Sequence, residues 1–63
     1  MKTWQIIGTS GMTFGLIEAV TPQGALDKYT RLYATEFTSY KKWCEYLRLP
    51  DTYDVRDNKI LLH

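Results

Sequence analysis

Cys44 and His63 are the only cysteine and the only histidine in this chain. One cysteine excludes an intrachain disulfide, and one Cys with one His cannot close a zinc site. Long apolar runs are also missing. None exceeds three residues, as in Ile60-Leu61-Leu62, whereas a membrane-spanning helix needs roughly 18. Lys2 is followed by Thr3, Gln5, Thr9 and Ser10 rather than by an apolar stretch, so a secretory leader is not expected. A lone thiol with no export signal points to the reducing cytoplasm. Excess charge is lacking too. Eight Lys and Arg against seven Asp and Glu leave a net charge of +1. The sequence pI of 7.9 lies below the range above about 9 that marks many nucleic-acid modules.

What is present is aromatic. Trp4, Phe14, Phe37, Trp43 and the tyrosines at 29, 33, 40, 46 and 53 are a heavy load for 63 residues. Each such side chain buries on the order of 150–250 Å², and disordered chains are poor in them. The length gives one domain, residues 1–63, which buries only about 60% of the surface of its unfolded chain. With no disulfide or metal as a staple, stability must come from dense packing or from association.

The pattern predicts an α+β, two-layer domain in the order β-β-α-α-β, with a second short C-terminal strand as the variant. An antiparallel sheet with both helices on one face is the expected arrangement. Residues 3–7 and 13–20 are rich in β-branched and aromatic side chains and read as a hairpin. Its loop is Thr9-Ser10-Gly11, with Gly11 at the positive-φ position. That register pairs Ile6 with Phe14 and Trp4 with Leu16. Trp4, Ile6, Met12, Phe14 and Leu16 then form the core face, and Ile7, Ile17 and Ala19 lie on the other. Gly15, inside a strand, marks a bulge or a close approach.

Thr21-Pro22 reads as a helix start, with Thr21 as the cap and Pro22 where its missing N–H costs nothing. Ala25, Leu26, Tyr29, Leu32 and Tyr33 recur at helical spacing, with Asp27, Lys28, Thr30 and Arg31 on the opposite face. The pattern breaks at Ala34-Thr35-Glu36. Thr38 or Ser39 caps a second helix with the stripe Tyr40, Trp43, Cys44 and Leu47, which Pro50 stops. The tail reads as Tyr53–Arg56 and Lys59–Leu62 around an Asp57-Asn58 turn.

No catalytic set assembles. The Gly8–Gly15 stretch lacks the spacing and the lysine of a phosphate loop, and a strand follows it instead of a helix. Cys44 sits on the apolar stripe with no base nearby in sequence, so core packing explains it better than reactivity. The carboxylates are scattered, and Asp51-x-x-Asp54-x-x-Asp57 lacks the glycine and final glutamate of a calcium loop. No cofactor and no metal are expected, and an enzyme is the last of three readings.

Two surfaces remain. The apolar surplus left after one core face is filled comprises Ile7, Ile17, Tyr46, Ile60, Leu61 and Leu62. It predicts a protein-interaction module (an adaptor, inhibitor or regulator), self-association being one outcome. The alternative is a nucleic-acid-binding accessory protein using Lys41, Lys42, Trp43, Tyr46 and Arg48, where cations alternate with rings as in single-strand binders. Lys41, Glu45 and Arg48 also recur as the solvated face of a helix, which weighs against that alternative.

Overall fold

The computed structural model describes residues 1–63. Six elements follow in the order β1 (Lys2–Ile7), β2 (Thr13–Ala19), α1 (Pro22–Tyr33), α2 (Tyr40–Leu47), β3 (Tyr53–Arg56) and β4 (Lys59–Leu62). The class is α+β, and the tail forms two strands. The sheet order is β2-β1-β4-β3. Each hairpin is antiparallel, but the central pair β1–β4 is parallel, so the sheet is mixed and not antiparallel throughout. A parallel pair needs a long crossover, and the two helices lie within it. Sequence periodicity carries no information about such a non-local pairing.

The first hairpin closes as its glycines require. Gly8 N–H donates to the Met12 carbonyl and Gly11 N–H to the Gly8 carbonyl, with Gly11 at φ 87°. Ile7 then faces Thr13, the register expected from a three-residue loop. At the next step the register slips. Ile6 faces Gly15 and Trp4 faces Ile17, which leaves Phe14 as the extra residue of a β-bulge. A one-residue slip exchanges the two faces of a strand. Ile17 and Ala19 are therefore buried under the helices, while Leu16 is 67% exposed. The expected core face is corrected accordingly: Trp4 and Ile6 belong to it, but Met12, Phe14 and Leu16 do not.

The core joins Trp4, Ile6, Ile17, Ala19 and Ile60 from the sheet to Ala25, Leu26, Tyr40 and Cys44 from the helices. Ile6 and Ile60 are register neighbours at the sheet centre, and both are fully buried. The buried Trp4 indole satisfies its N–H on the Ala19 carbonyl at 3.0 Å. Thr30, read from its spacing as solvent-facing, is also fully buried. Its hydroxyl donates to the Leu26 carbonyl at 2.9 Å, so no polar group is stranded. Leu32 and Tyr33, expected on the core stripe, lie at the exposed end of α1.

Thr21 caps α1, its hydroxyl accepting from the Gly24 N–H at 3.0 Å, and Pro22 opens the helix. Thr21→Ala is expected to lower stability by about 1 kcal/mol. In a domain of this size that is a loss of roughly 4–8 °C in melting temperature. An unchanged melt would show that water replaces this cap at no cost. Ser39 caps α2 by accepting from the Lys42 N–H at 3.2 Å. The helix ends at Leu47, three residues before Pro50, because Arg48 turns left-handed at φ 59°. The Leu49 N–H then donates to the Cys44 carbonyl.

Candidate binding cleft

The slip at Phe14 shapes the one concave site of the molecule. Gly8 lies beneath the Phe14 ring, and a Cβ at Gly8 would overlap that ring. The ring extends from the β2 edge toward the helices. Tyr29 crosses over Gly15, 3.8 Å from where a Cβ would lie there, and its ring packs against Trp43 with centroids 6.2 Å apart. Between these rings, α2 and the end of β4 lies a half-open cavity of about 140 Å³. Its eight lining residues are Phe14, Tyr29, Tyr40, Trp43, Cys44, Leu47, Leu49 and Leu62, all hydrophobic. The rim is well exposed: Phe14 to 45%, Leu47 to 45% and Leu49 to 57%.

The cleft exists because α2 leans on α1 more than on the sheet. Two polar contacts tie down its start. The Asp27 carboxylate accepts from the Tyr40 N–H at 2.9 Å, and Arg31 donates to the Thr38 carbonyl at 3.3 Å. The helix therefore stands off β4, and its short apolar stripe fills only part of the gap.

Tyr40 closes the floor. Burial pushes its phenol well above the ordinary tyrosine value near 10, and a hydrogen bond with the Cys44 side chain and the charge of Asp51 act in the same direction. Tyr29 is raised as well, by burial first and then by Tyr33. The folded state thus holds these protons more tightly than the unfolded chain does. The stabilisation is complete below about pH 10 and is lost as pH rises further, because the unfolded chain releases protons first. Melting temperature is expected to fall above that pH, and Tyr40→Phe to flatten the fall. An unchanged alkaline slope in Tyr40→Phe would assign the loss to other groups.

The residues of the expected partner surface are scattered by the fold. Ile17 and Ile60 are core residues, at 6% and 0% exposure, because of the slip and the central place of β4. Leu62 packs on the core and lines the cleft. Ile7 and Leu61 are half-buried register neighbours on the open sheet face, between Thr13 and Asp54. Tyr46 is 72% exposed on α2, its ring against Phe37 at 5.3 Å. Only Ile7 and Leu61 share a free surface.

Among the residues of the basic alternative, Lys41, Lys42 and Arg48 are exposed, but Trp43 turns inward onto Tyr29 and the core. His63 pairs with Asp54 at 2.8 Å, both exposed and far from the buried Cys44 in character and setting. Phe14, Tyr29, Leu47 and Leu49 were not singled out as site residues from the sequence. Gly15 was the available signal, since the bulge beside it is what aims Phe14 at the cleft. No protein family, curated protein or solved structure matches the chain. Function is therefore argued from these residues alone.

Proposed function

We propose that the chain is a non-enzymatic protein-interaction module whose working surface is the aromatic cleft. The observation that carries this reading is an entirely hydrophobic concavity, continuous with the exposed Phe14, Leu47 and Leu49. Exposed apolar surface around a pocket is where an anchor side chain of a partner gains most. A non-enzymatic role is supported by the separation of the reactive groups. Cys44 is buried in the core, while His63 and Asp54 occupy the opposite, exposed side of the β3–β4 hairpin. We place the chain in the cytoplasm, where a buried single thiol stays reduced.

Self-association through Ile17 and Ile60 is not proposed, since both lie beneath the helices. The nucleic-acid reading is weakened in turn by Trp43, whose ring is committed to Tyr29 and so cannot serve as a stacking platform.

The test compares three immobilised proteins in an extract of the cells that make the chain: the wild type, the rim variant Leu47→Ser/Leu49→Ser, and the open-face variant Ile7→Ser/Leu61→Ser. A protein retained by the wild type and the open-face variant, and lost from the rim variant, is the expected result. The reverse pattern would move the interaction surface to the open sheet face.

A further inference from the structure

We infer, resting on the cleft reading above, that the partner inserts one aromatic ring carried on an acidic stretch of chain. The first argument is size. An engineered protein cavity of about 150 Å³ lined by Leu, Ile and Phe accommodates benzene. The cleft, at about 140 Å³, matches one six-membered ring and is too small for a fused polycyclic group or for two side chains. Half of its lining residues are aromatic, so an incoming ring meets edges and faces that a branched aliphatic chain does not exploit.

The second argument is charge. The helical layer carries five cations (Lys28, Arg31, Lys41, Lys42 and Arg48) against three anions (Asp27, Glu36 and Glu45). Asp27 is already engaged by the Tyr40 N–H and by Gln23. No Lys or Arg has a carboxylate within ion-pair distance, since the single close pair is His63–Asp54. Lys41, Lys42 and Arg48 flank the lining residues Tyr40, Trp43, Leu47 and Leu49 in the chain and are exposed. A second copy would bring the same cations to this face, which disfavours a homodimer there. An acidic segment is complementary.

A single-stranded nucleic acid also joins rings to negative charge, but its bases carry donors and acceptors. An all-hydrophobic cleft would leave those groups unpaired, at a cost that a phenylalanine ring does not incur.

The experiment uses the full chain, labelled with ¹⁵N, and follows the Trp43 indole N–H and the Cys44 and Leu47 amides. The probes are toluene, a twelve-residue Asp/Glu/Gly peptide with one central Phe, the same peptide with Ala for Phe, the same with Lys for every acid, and oligothymidylate. Toluene is expected to saturate the cleft signals, and the acidic Phe peptide to bind at the same place. Replacing Phe by Ala, or the acids by Lys, should weaken binding at least ~10-fold, the loss typical of a central anchor or of a reversed charge pattern. Cys44→Met narrows the cavity and is expected to exclude toluene. Because that variant alters a buried position, Lys41→Glu/Lys42→Glu serves as the second arm. It leaves the lining intact, retains toluene and loses the preference for the acidic peptide.

The inference is overturned if toluene leaves the cleft signals unmoved, if the Lys peptide binds as well as the acidic one, or if oligothymidylate outcompetes both. A rim variant that still loses the extract partner while toluene leaves the cleft silent would retain the interaction module and remove only the ring and its acidic carrier.

Discussion

Ile17→Asp is expected to abolish the native fold, whereas Leu16→Asp, one residue earlier, retains it. The two side chains are both aliphatic and lie on the same strand, yet Ile17 is 6% exposed beneath the helices and Leu16 is 67% exposed on the open face. A carboxylate at Ile17 would face Trp4 across the ladder, with neither a cation nor a free donor beside it. Stranding a charge in that setting costs several kcal/mol, on top of the apolar burial lost with the isoleucine. A 63-residue domain has roughly 3–9 kcal/mol of stability in total. At Leu16 the carboxylate stays in water, and a surface change of this kind costs within about 0.5 kcal/mol. Circular dichroism melts and the dispersion of the amide spectrum separate the outcomes. A folded Ile17→Asp together with an unfolded Leu16→Asp would mean that the hairpin runs without its bulge.

That pair of variants also marks where the sequence stops being informative. The element order, the Thr21 and Ser39 caps, the Gly11 turn and the closing of the tail hairpin were all legible, because each rests on local chemistry: an oxygen that reaches an orphan N–H, or a residue that tolerates positive φ. The core face of the first hairpin was not. Both phases of its alternation are apolar, Phe14 and Leu16 in one and Ile17 and Ala19 in the other, so hydrophobicity could not choose between them. Gly15 signalled an irregularity but not its direction. The neighbour of β1 on its other side was equally hidden, since Ile60 reaches Ile6 only after the chain has crossed both helices. The cleft depends on both facts. Its Phe14 wall comes from the bulge, and its Leu62 wall comes from the position of β4 beside β1. Tyr40, Trp43, Cys44 and Leu47 were read correctly as one helical stripe, but periodicity gives the direction of a stripe and not how closely the opposite surface approaches it.

The cleft also depends on how firmly α2 is held, and Asp27 is the residue on which that hold is expected to turn. Its carboxylate accepts from the Tyr40 N–H, one of the donors at the start of α2 that the helix itself cannot satisfy, and from Gln23 Nε2. A negative charge there also complements the positive end of the helix. Asp27→Ala should therefore cost about 1.5–3 kcal/mol, the value of a hydrogen bond to a charged group together with the orphaned donor. Asp27→Asn keeps the acceptor and should recover about half of that. The loss is expected to be local before it is global, because α2 leans on α1 and hardly on the sheet. Amide exchange in Asp27→Ala should rise across residues 40–48 while β1 and β4 stay protected, and toluene or the Phe peptide should bind more weakly to a wall that no longer stands still. Uniform loss of protection in all elements would make α2 part of the global unfolding unit. Unchanged exchange throughout would leave the Tyr29–Trp43 contact as the attachment that positions the helix, and with it the cleft.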